Sequence, residues 1–159
     1  MLCEVLRTFD RPTMQTLQEY TLFPLRLVFQ QPTKCGDDLR MDSFSCMIIV
    51  LSQSQLTKWD VFQDLFSMAS IQLSSPADKG RVAVIPEELK LEIIHFLRAL
   101  LKSAVFSVLE KLYGAESLPV LGHLVSVLLN VADTENSQPL KIASMECLLD
   151  LSGANTKCE

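Results

Sequence analysis

The residues of this chain that could do chemistry are few and scattered. Its two histidines, His95 and His123, stand far apart, and its five cysteines, at 3, 35, 46, 147 and 158, include no Cys-x-x-Cys. A zinc site wants four ligands, so His123 meeting Cys147 across adjacent helices would supply only half of one. Glu87 and Glu88 look like paired carboxylates, but after Pro86 they read more simply as the acidic first turn of a helix, favoured by its macrodipole. There is no P-loop, no Gly-x-Gly-x-x-Gly, no Gly-x-Ser-x-Gly and no His-Glu-x-x-His. Five glycines leave little backbone to cradle a phosphate. The reading is of a chain without catalytic, cofactor or metal-binding residues. The exception worth following is a column of bases, Arg40, Lys90 and Lys141, because it recurs at a fixed spacing.

That spacing belongs to a larger repeat. Glu88 to Leu101, ELKLEIIHFLRALL, matches Asp38 to Leu51 fifty residues earlier and Pro139 to Ser152 fifty-one residues later. Aligned, the three share Leu39/Leu89/Leu140, the basic column, and apolar residues at Met41/Leu91/Ile142. They share further apolar columns at Phe44/Ile94/Met145, Cys46/Phe96/Cys147, Met47/Leu97/Leu148 and Val50/Leu100/Leu151. Self-similarity at this period is the mark of stacked helical repeats. The fold class read from it is all-α, a HEAT/armadillo-type α-solenoid of about three helical pairs with these stretches as inner helices. On such a stack Arg40, Lys90 and Lys141 form a basic ladder along the concave face. It either pairs with carboxylates of the chain itself or meets an acidic partner. His95 repeats Ser45 and Glu146 and reads as a semi-exposed slot.

Along the chain, residues 1–12 read as a partly ordered lead-in, 13–152 as the repeat domain and 153–159 as a polar tail. Apolar residues from Met14 to Phe29 keep a helical period, with Pro24 expected to kink or break the helix near Tyr20 to Phe23. Asp37 or Asp38 is the expected cap of the next helix, and Thr57 with Asp60 a shortened capping box for the third. Trp59 reads as a packing lid. Ser74 to Ile85 is the clearest loop, with Val82 to Ile85 the one short extended stretch. Pro86 is placed at the first position of the central helix. A short helix over Val105 to Leu112 is expected to end at Gly114 in a left-handed cap. Ser117 and Ser137 are the expected caps of the last two helices, and Gly153 with Asn155 the stop.

Composition agrees with a packed domain. Hydrophobic residues make up 48% of 159, and the mean hydropathy is +0.25. Net charge is −5, and no Lys/Arg run is interleaved with aromatics, so nucleic acid is not an expected partner. No apolar run approaches the roughly 18 residues of a membrane span, and no signal peptide is read. Cys46 and Cys147 fall on apolar positions, as buried thiols in a reducing compartment would; a cytoplasmic or also nuclear location is the expectation.

Four stretches go beyond a generic repeat: Leu17 to Arg26 (LQEYTLFPLR), Pro86 to Leu91 (PEELKL), Leu118 to Leu129 (LPVLGHLVSVLL) and Leu140 to Leu149 (LKIASMECLL). Together, in order and over roughly Met14 to Ser152, they resemble the N-terminal region of the Tel-two-interacting protein one family, the HEAT-repeat subunit of the Triple-T (TTT) complex. LQEYTLFPLR is the most specific part, since helix packing alone requires neither its Tyr nor its internal Phe-Pro. The resemblance implies a non-catalytic cochaperone adaptor for phosphatidylinositol-kinase-related kinases (PIKK). Its implied partners are the other TTT subunits, those kinases and the heat-shock chaperone machinery. The chain would correspond to a small N-terminal part of such a protein. The repeat pattern alone also fits a generic armadillo-type transport or trafficking scaffold and, more remotely, a small helical enzyme whose site forms between helices.

Overall fold

The computed structural model describes residues 1–30, 35–74 and 85–156. Its elements are α1 (Leu2–Arg7), α2 (Arg11–Leu27) with a 3-10 turn at Val28–Gln30, α3 (Asp37–Ser52) and α4 (Trp59–Leu73). They continue with α5 (Glu87–Ser103), α6 (Phe106–Leu112), α7 (Leu118–Thr134) and α8 (Gln138–Thr156). The three repeated stretches are α3, α5 and α8, and α5 packs between the other two. Helices α2, α4 and α7 back them, giving the hairpins α2/α3, α4/α5 and α7/α8 of an all-α solenoid. Short α1 lies on α3, and α6 touches both α4 and α8.

The repeated columns explain this stacking. Cys46, Phe96 and Cys147 are all buried, as are Val50, Leu100 and Leu151. A central helix with neighbours on several sides must be apolar over more than one face, and α5 buries Leu89, Ile93, Ile94, Phe96, Leu97, Leu100 and Leu101. A ring path Phe29–Phe44–Phe96, with centroids 4.5 and 5.1 Å apart, carries the core from the α2 side through α3 to α5. Trp59 is half-buried against Phe62, 5.8 Å between centroids.

Several expected end signals are replaced. Asp10, unread in the sequence, caps α2 by accepting from the Thr13 N–H at 2.9 Å, and this hydrogen bonding holds its carboxyl below the ordinary Asp range. The α3 cap position is Gly36 rather than Asp37 or Asp38, and that of α4 is Lys58 rather than Thr57; neither makes a side-chain cap bond. Pro86 stands at the cap of α5, one residue before its expected place. Ser117 holds the α7 cap position without a side-chain bond, and the Ser137 hydroxyl donates to Glu87 across the stack. Gly114 is not left-handed: α6 ends at Tyr113 with φ −89°, and a Cβ on Gly114 would meet the Lys111 carbonyl oxygen at 3.1 Å.

Helix α2 runs unbroken through Pro24, because Leu22 and Leu25 on either side are buried and tertiary packing offsets one lost hydrogen bond. Helix α8 continues past Gly153 to Thr156. Residues 1–12 include α1, whose Leu6 is buried. The loop and extended stretch read over 75–84 and the last residues of the tail, 157–159, lie outside the described residues.

Candidate interaction surface

The inner helices are joined by a line of polar contacts. Ser45 of α3 donates to Glu92 of α5 at 2.7 Å, and the Glu92 carboxylate lies 3.9 Å from Nδ1 of His95. On the other side of α5, Arg98 donates Nε–H to Asp150 at 2.6 Å and a terminal N–H to Glu146, both on α8. Those two carboxylates raise the guanidinium's pKa, and its side chain is only 21% exposed. The sequence reading missed Arg98. Its signal was there: Arg98 occupies the repeat position held by Ile48 on α3 and Leu149 on α8, a charge in an otherwise apolar column.

The basic ladder is mostly spent within the chain. Arg40 lies 3.6 Å from Asp37 in its own first turn, and Lys90 pairs with Glu135 in the turn before α8. Lys141 is half-buried, and no described carboxylate pairs with it. His123 and Cys147, considered as half of a zinc site, have separate surroundings. His123 is exposed and hydrogen-bonds Ser74 at 3.1 Å, whereas Cys147 is fully buried and its thiol is pushed up to about 12 by desolvation. Among the described residues no three His, Cys, Asp or Glu come close enough to hold a metal ion, and no helix is long and apolar enough to cross a membrane.

Two open features stand out among the described residues. One is a groove of about 800 Å³ between the start of α2, the α3–α4 turn and the end of α5. Arg11, His95, Arg98 and Lys102 stand among its lining residues with Gln15 and Gln55, and no carboxylate does. Its wall is rigid. Gln15 and Gln18 bind the turn at Ser54 and Gln55, and Leu56 pairs with the α5–α6 turn through bonds to Ser103 (2.9 Å) and Val105 (3.1 Å). This bridge is the only strand-like pairing among the described residues.

The other feature is the free edge of the last hairpin. Ile142, Met145 and Leu149, spaced to share one face of α8, are 56%, 52% and 68% exposed. Their counterparts on α3 and α5 are more covered: Phe44 and Ile94 are buried, Met41, Ile48 and Leu91 half-buried, and Arg98, half-buried, takes the Leu149 position on α5. On the neighbouring α7, Leu118 and Leu129 are also about half exposed, at 52% and 53%. The edge is therefore apolar by the same repeat that built the interior, and lacks only the next neighbour.

The whole chain, residues 1–159, matches a family described as the TTI1 N-terminal TPR domain. It is 36% identical over 143 residues to the TELO2-interacting protein 1 homolog of Mus musculus, and equally to that of Homo sapiens. Each match covers 90% of this chain and 13% of the relative, so the chain spans a small fraction of those proteins' length. No solved structure matches.

Proposed function

The chain belongs to the TTI1 N-terminal TPR domain family, and from that premise we propose that it is a non-catalytic helical scaffold in a TTT-type cochaperone assembly. Its partners in this reading are a TELO2-type protein and, through the assembly, PIKK-family kinases and heat-shock chaperones. The role is to support maturation and stability of those kinases in the cytoplasm and nucleus. The relatives' printed name, TELO2-interacting, supports the choice of first partner.

The observation that carries the scaffold reading is the free apolar edge of α8. A stack that buries Phe44 and Ile94 under successive inner helices presents Met145 for one more. Solenoids extend and bind through such surfaces, since each repeat covers its neighbour's apolar face. In this reading the edge takes a further helical hairpin of the same repeat, while partners meet the polar inner-helix side and its groove.

Co-expression of the chain with the TELO2-type protein of the same organism, followed by affinity isolation, tests the proposal. Stoichiometric recovery, weakened by Arg11→Glu with Lys102→Glu in the groove, is the expected result. Equal recovery from the groove variant would move the contact to another face, and no recovery of the partner with well-folded chain would refute a binding role for this segment.

A further inference from the structure

Cys3 lies on α1 and Cys46 in the middle of α3, and their sulfurs are 2.7 Å apart. An S–S bond is about 2.05 Å, so about 0.65 Å of approach separates this pair from a covalent link. Both thiols are free in the structure. We propose that Cys3 and Cys46 are a modification site, a dithiol that a hydroperoxide converts to an intramolecular disulfide stapling α1 to α3.

The geometry assigns the two sulfurs different parts. Cys3 is half-buried on the short helix α1 and is the more accessible of the two, whereas Cys46 is 3% exposed within the core. Desolvation and the Cys3 sulfur push the Cys46 thiol up to about 12, so Cys3 is the sulfur placed to react first. In the first step Cys3 sulfur attacks one peroxide oxygen. An S–O bond forms, the O–O bond breaks, and the departing oxygen leaves with the thiol proton, as water from hydrogen peroxide or as an alcohol from an organic hydroperoxide, giving a sulfenic acid. In the second step Cys46 sulfur attacks Cys3 sulfur. The S–S bond forms, the S–O bond breaks, and water departs with the Cys46 proton. Two electrons pass from the sulfurs to the peroxide, and reduction by a thiol reverses the link.

The consequence is local. Leu6 is the only buried residue of α1, so the link adds a covalent anchor to a helix with a small buried face. The link closes a loop that includes α2 and the first half of α3, and constraining the unfolded chain in this way stabilises the fold. The inference is independent of the proposed partners.

The full reduced chain, treated with hydrogen peroxide and digested without reductant, tests it. A peptide pair joined at Cys3 and Cys46, short of two hydrogens, is expected, with a higher Tm that dithiothreitol returns to its starting value. Cys35→Ser should leave the linked pair intact, and Cys3→Ser should abolish both the pair and the rise in Tm. Intermolecular dimers, links to Cys35, separate over-oxidation of Cys3 and Cys46, or no reaction would each overturn the proposal.

Discussion

Gln15 grips Gln55 with both ends of its side-chain amide. Its Nε2–H donates to the Gln55 carbonyl at 2.9 Å and its Oε1 accepts the Gln55 N–H at 2.7 Å. One helical turn on, Gln18 is 4% exposed and donates to Ser54 Oγ at 2.7 Å and to the same Gln55 carbonyl at 3.2 Å. Helix α2 thus supplies the turn between α3 and α4 with hydrogen bonds it cannot make internally. The same turn pairs with the end of α5, and Gln15, Ser54 and Gln55 line the groove between them.

The two should differ in cost. Gln18→Leu removes two part-buried hydrogen bonds and is expected to destabilise the chain by about 1–3 kcal/mol. Gln15→Ala exposes its partner to water and should cost only about 0.5–1.5 kcal/mol. Urea denaturation of both variants checks the order; a larger loss for Gln15→Ala would misplace the buried anchor.

Leu97, fully buried at the centre of α5, tests the stacking itself. Leu97→Ala is expected to cost about 2–5 kcal/mol, the transfer term plus the cavity left behind. A variant that melts with the parent would mean that α5 is not the middle of the core.

Arg98 joins α5 to α8 through two carboxylates at partly exposed positions, so its contribution is screened. Arg98→Met is expected to cost about 1 kcal/mol, less in high salt. A double-mutant cycle with Asp150→Asn, repeated at two salt concentrations, reads the coupling directly. Coupling that is unchanged by salt would contradict a screened ion pair.

The Asp10 cap has a defined pH signature. Its folded-state pKa lies below the ordinary Asp value, so its contribution is complete above that value and disappears as pH falls through the lowered one. Asp10→Asn should therefore flatten this acid limb of stability while leaving a neutral cap in place. Titration of the Asp10 carboxyl by NMR checks the direction of the shift.

At the free edge, Met145→Glu with Leu149→Glu should raise solubility and reduce self-association, as charges replace an exposed apolar stripe. Surface changes of this kind usually alter stability by no more than about 0.5 kcal/mol each. Sedimentation velocity and thermal melts separate the two effects. A large loss of stability would show that the stripe is covered within the chain.

The identity of the inner helices was legible from residue types alone, because burial between neighbours demands apolar side chains at every turn of α5 and the same columns recur on α3 and α8. Helix ends were less legible. Thr57, Asp37 and Ser137 are all good capping types, but capping bonds are worth little beside burial. The chain enters each helix where packing places it, so Ser137 turns to Glu87 and Lys58 takes the α4 cap position. The polar links were hidden for another reason: Gln15 to Gln55, Arg98 to Asp150 and Cys3 to Cys46 are separated by 40, 52 and 43 residues, and no local pattern encodes such meetings.

What the amino-acid order determined by itself was the period, since hydrophobic burial acts on each repeat in the same way. What only the tertiary structure decided was which copies of each column are covered. Leu39 and Met145 are the same kind of residue as Leu89 and Ile94, yet each is about half exposed, because they lie on the flanking inner helices, α3 and α8, whereas α5 packs between both.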